Sequence, residues 1–487
     1  MEKRQKPSLH TNWIDPEATF IVDRLQKAGF TTYLVGGCVR DLLAGLHPKD
    51  YDIATSASPE QVRKLIRGSY IIGKRFPLVL VKRGQRQFEV ATFRRNALPE
   101  EIEGSDQSFV DNFYGTPQED AHRRDFTVNG LFYDPIRDEL IDYVEGIKDI
   151  ESGFIRMIGD PDHRLKEDPI RILRAIRLSH KLRFSIEESL RVAIERNSQE
   201  LTRSILPRKR EEYFKLLRLD DPSLVFKELH DLNILTHILP SLAELWEQAD
   251  NEAILTHYLS RTHELSIDKT NTTQLMLPLV LALSKIGISQ QKRFTPNVVA
   301  DNSPADAPEN NESLRSVLKL EESAGGEESG HEVVSDFEDD EMPLEEGEPV
   351  NAKESMSVSE PVDGTVDGTV DGLTDGSAKE PADGPAQTRA KQSKTTMNQL
   401  VENLFKLEWG LFRTEQQSLY EALDLLQQMQ PIENLLRKGH RRLRNFFNRD
   451  NTHLALLMAK ADYLFTGEQW LKIEKLRKEL AGSEPKR

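Results

Sequence analysis

The sequence predicts an α+β protein: an N-terminal part with a small mixed sheet, an all-α remainder, and a long disordered acidic insert within that remainder. Three observations carry this reading. Helical and strand periodicities alternate over residues 20–100. From about residue 165 the pattern is helical almost throughout, with short turns such as Asp220-Asp221-Pro222 and few β-branched runs. Residues 291–395 are rich in Asp, Glu, Ser, Gly and Pro.

Phe20, Ile21, Leu25 and Ala28 recur at helical spacing before a stop at Gly29, and the apolar run Tyr33-Leu34-Val35 follows as a strand. Gly36-Gly37 then allows the backbone to approach another group closely. Asp50–Thr55 reads as the next strand. Ser58-Pro59-Glu60-Gln61 supplies a capping residue, a proline at the first helical position and a glutamine three residues after the cap, so a helix starts there. Two more strands are expected at Leu78–Lys82 and Gln87–Phe93. In the second, Phe88, Val90 and Thr92 alternate with Gln87, Glu89 and Ala91, which turns Glu89 away from the apolar face. The acidic stretch repeats Val362-Asp363-Gly364-Thr365 as Val366-Asp367-Gly368-Thr369, four-residue units with nothing to stack. It holds too little apolar surface to offset the entropy of ordering. Helical order is expected again from about Met397.

The chain has 487 residues, enough for two to four domains, and its 37% hydrophobic content can build cores without disulfides. Its single cysteine, Cys38, excludes an intramolecular disulfide. There is no membrane-length apolar run or secretory pattern, so a cytoplasmic protein is expected. The net charge of -16 is unevenly distributed. Residues 301–390 contain 25 Asp and Glu against 5 Lys and Arg, a balance of -20, so the remainder carries +4. A polyanionic partner is compatible with that basic remainder.

Several clusters carry candidate chemistry. Arg40 lies three residues after Gly37, where backbone and guanidinium could share a triphosphate. A Gly-Gly turn by itself is as readily a plain turn, and Asp41 could cap or pair with Arg40. Asp50 and Asp52 sit two apart on a strand, and paired carboxylates are costly without a cation between them, with magnesium the natural occupant. A solvated edge strand is the plain alternative. Glu89 on a neighbouring strand offers a third oxygen ligand, and three carboxylates with phosphates suit a two-metal site. Arg123-Arg124-Asp125-Phe126 places bidentate phosphate donors beside a carboxylate, or forms an ordinary ion-pair patch. Asp142 with Gly146 reads equally as a site carboxylate or as a turn. In Glu167-Asp168-Pro169-Ile170-Arg171, Asp168 is a candidate helix cap and a helical neighbour of Arg171. The two form either a surface salt bridge or an acceptor and donor able to read the edge of a base, with Arg174 one turn on.

Taken in order, GGCVRD, KDYDIAT, FEVATFR, RRDFTVNG, IDYVEG and EDPIRILRAIR resemble the motif series of the bacterial class II tRNA nucleotidyltransferase and poly(A) polymerase family, in the polymerase beta nucleotidyltransferase superfamily. The resemblance covers residues 30–215. It implies a catalytic head (18–150), a helical neck (151–215), a helical body (216–290), the acidic insert (291–395) and a helical tail (396–480). It also implies that Asp50 and Asp52 are catalytic and hold Mg2+ with Glu89, and that Gly36, Gly37, Arg40 and Arg124 hold the nucleotide's phosphates. Asp125 would contact the ribose and take part in catalysis, while Asp168 and Arg171, with Arg174, would bind the base.

The expected reaction is transfer of AMP from ATP to RNA 3′ ends, in mRNA or another RNA. A CCA-adding enzyme using CTP and ATP is the alternative, and an inactive RNA-binding relative the second. Ile71-Ile72-Gly73-Lys74-Arg75-Phe76 resembles the segment associated with poly(A) polymerases and favours that member, although Leu80 stands where a polar residue is more usual. Asn129-Gly130 likewise replaces the more usual Asn-Ala or Asn-Ser. In the tail, Arg437, Lys438, Arg441, Arg442 and Arg444 surround Phe446 and Phe447, a mixture suited to RNA phosphates and stacked bases. A solvated helix with two core phenylalanines fits the same residues. Protein partners beyond RNA and ATP are not indicated.

Overall fold

Alternation along the N-terminal strands produces a sheet with two unlike faces. In chain order the strands are β1 (Lys3–Gln5), β2 (Thr32–Val35), β3 (Asp52–Thr55), β4 (Ser69–Ile72), β5 (Leu78–Arg83), β6 (Arg86–Thr92), β7 (Arg94–Arg95), β8 (Phe113–Tyr114), β9 (Leu131–Asp134), β10 (Glu139–Asp142), β11 (Phe154–Ile155) and β12 (Ser185–Ile186). Eight of them form one mixed sheet in the order β1-β10-β9-β2-β3-β6-β5-β4, with β3 and β6 parallel. β7 and β8 form a separate antiparallel pair. The computed structural model describes residues 2–5, 11–73, 77–96, 113–265, 267–294, 397–430 and 432–481. All of these fall within one compact unit, Met1–Lys319 with Thr395–Arg487.

One face of the sheet carries Leu34, Ile53, Val79, Val81, Phe88 and Val90 and is covered by the helix Pro16–Lys27 through Ala18, Ile21, Val22 and Leu25. The other face holds a smaller aromatic layer of Tyr33, Val35, Phe93 and Phe132, met by Ala121 of the helix Pro117–Arg123. Asp52 and Glu89 belong to this second face. Ser58 starts the helix Pro59–Leu65 with the expected capping box: the Gln61 amide donates to Ser58 Oγ at 3.4 Å and the Ser58 amide to Gln61 Oε1 at 2.8 Å. The strand expected from Asp50 begins two residues later, so Asp50 sits in the loop before β3.

Beyond the sheet the described residues are helical, with one exception that the sequence reading omitted. Arg183 ends the helix Ile170–Leu182 at φ 58°, and Ser185–Ile186 then pairs in parallel with Phe154–Ile155. That pairing is too short and too distant in sequence to leave a periodic signal. A single hydrophobic cluster runs from Phe126 and Val128 beside the sheet through Leu173, Ile176 and Phe226 to Leu404 and Ile473. The C-terminal segment joins this core closely. Trp409 packs 5.2 Å from Tyr213 and 5.7 Å from Phe214, and Arg210 Nη2 donates to both oxygens of Glu415 at 2.7 and 2.8 Å. The helix Leu277–Phe294 carries ordered backbone into the first residues of the expected insert, whose remainder lies outside the described residues. Lys74, Arg75 and Phe76 of the IIGKRF segment also lie outside them.

Candidate active site

The β3–β6 register pairs Asp52 with Glu89, and the antiparallel β2–β3 register pairs Val35 with Asp52. Parallel neighbours at one level point the same way, so two carboxylates share a single row on the aromatic face. The Asp52 carboxyl is held above the usual carboxylate range, by desolvation first, then by the Glu89 charge, with Arg124 opposing. Asp50 adds its charge from the preceding loop. Among the described residues no group of three or more His, Cys, Asp or Glu side chains is arranged to hold a metal ion. The Asp52–Glu89 row nonetheless fits a hard divalent cation, because two like charges at one level call for a positive partner and offer it oxygen ligands.

Gly36 follows β2 with φ 71° and ψ -126°, a backbone conformation that side chains rarely adopt. A Cβ there would lie 2.7 Å from Arg124 Nη1 and 3.9 Å from Asp52 Oδ2. The glycine therefore lets the Arg124 guanidinium close over the turn beside the carboxylate row. Arg124 is aimed by Asp120, which accepts from its Nε and Nη2 at 3.2 and 2.9 Å, and by the Asn129 carbonyl, which accepts from Nη1 at 3.3 Å. Gly37 opens the helix Gly37–Leu43 and has Arg40 Nη2 as its nearest neighbour, 3.6 Å from the site a Cβ would occupy.

Arg40 and Asp125, each expected at the nucleotide, are both members of a polar ring that the sequence reading did not foresee. Lys181 Nζ donates to Asp41 Oδ2 at 2.8 Å. Arg40 donates to Asp41 Oδ1 through Nε at 2.9 Å and Nη2 at 2.6 Å, and to Asn129 Oδ1 through Nη1 at 2.5 Å. Asn129 Nδ2 donates to Asp125 Oδ1 at 2.9 Å, and Arg174 donates to Asp125 Oδ2 through Nε at 2.8 Å and Nη2 at 2.5 Å. Lys181 and Arg174 are on the same helix, Ile170–Leu182, so the chain of hydrogen bonds leaves that helix and returns to it. Arg40, Asp41, Asn129 and Asp125 are buried. Burial opposes the charge on Asp125, but Arg174 and then Asn129 hold its carboxyl down to about 2. The ring carries three cations against two carboxylates, so it has a surplus positive charge.

The base-reading pair is built differently from the helical neighbours expected. Asp168 terminates the helix Pro161–Glu167 at φ -144°, outside helical conformation, and its side chain does not cap the helix that follows. Its carboxylate accepts from Arg208 Nη1 and Nη2 at 3.0 and 2.8 Å. Arg171 Nη1 donates to the Arg164 carbonyl and to Glu167 Oε2, each at 2.7 Å. Arg164 Nη2 in turn donates to the carbonyls of Arg123 and Arg124 at 2.7 and 2.9 Å. Sequence reading missed Arg208, Arg164, Asn129 and Lys181 as partners. The only available signal was their polarity, which does not identify a partner.

Two other expectations resolve as structure. Asp142 is buried and accepts from the amides of Val144, Gly146 and Ile147, so the turn alternative holds. A Cβ on Gly146 would lie 2.2 Å from the Thr127 carbonyl oxygen. A Cβ on Gly130 would lie 2.6 Å from Val144 Cγ2, so Val144 takes the space a larger residue would need. In the tail, Arg437, Lys438, Arg441 and Arg442 are exposed and Arg444 is half-buried. Phe446 is in the core and Phe447 packs partly against it, edge-on at 5.4 Å. Phe446 is thus taken up by packing, as in the core-phenylalanine alternative, while Phe447 is half-buried and the cationic side chains face out.

Residues 32–156 match the family model described as the poly A polymerase head domain. Residues 183–245 match the one described as a probable RNA and SrmB-binding site of polymerase A. The chain thus carries the head and RNA-binding segments of the class II poly(A) polymerase and CCA-adding nucleotidyltransferase family. Within it, poly(A) polymerase I of Haemophilus influenzae is 39% identical over 260 residues, which are 51% of this chain and 57% of that protein. The CCA-adding enzyme of Lactobacillus helveticus is also 39% identical, over 197 residues, 40% of this chain and 48% of that one. The matched region thus spans under two thirds of these family members' length. The crystal structure of Bacillus stearothermophilus CCA-adding enzyme in complex with CTP is 28% identical, with a TM-score of 0.46 over 58% of this chain and 67% of that one. No helix among the described residues is long and apolar enough to cross a membrane. Nucleotidyltransferases of this kind use divalent metal ions.

Proposed function

We propose that the protein is a template-independent poly(A) polymerase, transferring AMP from ATP to RNA 3′ ends. The RNA 3′-hydroxyl oxygen bonds to the α-phosphorus, the bond from that phosphorus to the bridging oxygen breaks, pyrophosphate leaves, and the hydroxyl proton passes to solvent. No covalent enzyme intermediate is required. The observation that carries the reading is the Asp52–Glu89 carboxylate row beside Arg124 and the positively charged ring. Magnesium held by Asp52 and Glu89, with Asp50 from the adjacent loop, would supply positive charge to the phosphates and acidity to the attacking hydroxyl.

The residues of the chain then divide the work. Arg124, pressed over Gly36, donates to the triphosphate, and Gly37 leaves the turn open for it. Arg40 is already satisfied by Asp41 and Asn129, so it contributes charge from beneath the turn more than direct contact. Asp125 accepts from the ribose, fixed in place by Arg174 and Asn129. Asp168 as acceptor and Arg171 as donor suit adenine or cytosine and leave unpaired groups against guanine or uracil. Both are held by fixed partners, Arg208 on one side and Glu167 with the Arg164 carbonyl on the other, which supports reading one base in one position. The pair accepts adenine and cytosine alike, so the choice of ATP alone rests on the resemblance to poly(A) polymerases. The longer match to a poly(A) polymerase, 260 residues against 197 for a CCA-adding enzyme, supports the same choice.

The units 18–150, 151–215, 216–290 and 396–480 act in this reading as catalytic head, base-binding neck, body and RNA-binding tail. The exposed Arg437, Lys438, Arg441 and Arg442, with Arg444 beside them, hold RNA phosphates. The buried thiol of Cys38 suits a reducing cytoplasm. The test offers ATP or CTP separately, with magnesium, to an unstructured RNA and to a tRNA lacking its terminal CCA. Long ladders with ATP alone support polyadenylation. Growth that stops after three nucleotides on the tRNA and needs CTP establishes the CCA-adding alternative. The intact carboxylates speak against an inactive relative, and Asp52→Ala retaining full turnover would sink the catalytic assignment.

A further inference from the structure

We propose that the cavity beside the Asp50 loop is the channel for the last nucleotides of the RNA, with Lys49, Arg183, Arg218 and Lys269 gripping their phosphates. This rests on the polymerase reading above and assigns the path by which its RNA reaches the carboxylates. The cavity has a volume of about 1220 Å³ and extends from the loop holding His47, Lys49 and Asp50 to the end of the helix Ile170–Leu182 and the helix Pro222–Asp231. Its lining includes Asp50, two residues before Asp52, so an RNA strand lying in it would end beside the carboxylate row.

Charge distinguishes this cavity from an ordinary cleft. Eight Lys or Arg residues line it against five Asp or Glu, an excess of three positive charges in one cleft where the chain outside the acidic stretch carries only +4 in all. Four of the eight are already matched: Arg177 to Glu212, Lys181 to Asp41, Arg191 to Glu188 and Glu195, and Lys215 to Glu211 and Glu212. The other four are not. Among the described residues Lys49, Arg183 and Arg218 form no ion pair, and Lys269 has only Asp220, at 4.0 Å and itself 92% exposed.

These cations are also placed for use. Arg218 Nε donates to the Lys269 carbonyl at 2.8 Å and Lys269 Nζ donates to the Arg218 carbonyl at 3.1 Å, a reciprocal arrangement that orients both side chains without neutralising either. Arg183 is carried out of its helix by its left-handed backbone, leaving the guanidinium exposed. Apolar side chains lie between them: half-buried Phe184 and Ile186, and Leu224, 55% exposed. Uncompensated cations around an apolar floor suit a single strand whose phosphates face the rim and whose bases lie inward. Binding through phosphate carries no sequence information, so the channel would accept any unstructured 3′ end. Lys49 and Lys269 lie outside the segment 183–245 matched to RNA binding.

The experiment uses the full chain, wild type and the variants Arg183→Gln and Arg218→Gln/Lys269→Gln, with labelled oligo(A) in a salt series and ATP in a parallel titration. Each cation withdrawn from a phosphate should lower the slope of log affinity against log salt by about 0.7, so the double variant should lower it by about 1.4. The KM for RNA should rise while the KM for ATP stays at the wild-type value, and Arg183→Lys should restore affinity. Wild-type elongation with unchanged RNA affinity and slope in both variants overturns the channel while leaving polymerisation standing. Loss of binding that Arg183→Lys does not restore, accompanied by a lowered unfolding midpoint, overturns it as well. A wild-type protein that adds no AMP to any RNA refutes the polymerase reading itself.

Discussion

Replacing Asp125 with Asn removes one charge from the ring and leaves its shape intact. Asp125 is 9% exposed and its carboxyl is held at about 2 against an ordinary 3.8. That difference corresponds to roughly 2–3 kcal/mol of folding stability. Its sign follows from the direction of the change: the folded state holds the carboxylate charged more strongly than the unfolded chain does. The contribution is therefore complete above pH 3.8 and disappears as the pH falls through 2. The Arg174 side chain, 35% exposed, is left facing a neutral amide, so the cost stays near this figure and below the range for a fully buried orphaned charge. Urea denaturation of both proteins should give a difference of roughly 2–3 kcal/mol that is flat from pH 7 to 5 and narrows in acid. Equal stability at pH 7 would refute the ring as a structural device. A gap that persists unchanged into acid would refute the electrostatic origin of the effect.

Individual interactions set the other expected outcomes. Gly36→Ala forces a side chain into a disfavoured backbone conformation and against Arg124, so it should cost about 1–3 kcal/mol and raise the KM for ATP in steady-state assays. Arg208→Ala frees Asp168 from its bidentate partner; that arginine is 53% exposed, so stability should fall by about 1 kcal/mol or less while discrimination of ATP against GTP and UTP weakens, read from single-nucleotide incorporation. Lys181→Met opens the ring at a 36%-exposed lysine, so stability should fall by only about 1 kcal/mol or less while kcat drops more than ATP affinity does. Arg210→Ala removes the bidentate pair to Glu415, whose partners are 19% and 13% exposed. It should destabilise the protein by about 3 kcal/mol in thermal or urea unfolding, with the KM for ATP unchanged.

Local physics made much of this molecule legible in the sequence. Ser58 and Gln61 announced a helix start because both halves of a capping box fall within a single turn of chain. Alternation in β6 turned Glu89 away from Phe88 and Val90, and the β3–β6 register set it level with Asp52. The ring was not legible, because its links join residues 140, 89 and 49 positions apart and no local rule pairs them. For the same reason Arg208, forty residues beyond Asp168, remained hidden. Asp168 and Arg171 read from spacing as one helical face, yet Asp168 ends the helix Pro161–Glu167 in extended conformation. Phe446 reads as a stacking surface because an eight-residue helix gives too short a window to separate a packed face from a presented one.

The ring also turns the length of one helical segment into a gauge. Arg174 and Lys181 are seven residues apart, close to two helical turns, and each is fastened to the sheet-bearing part of the chain. A rod held at one point can roll, whereas one held at two points along its side cannot. Arg171, one turn before the first anchor, inherits its angular position from that double fastening. Adding or removing a single residue between the anchors would swing one of them by about 100° around the axis, so substitutions there are tolerable where insertions and deletions are not.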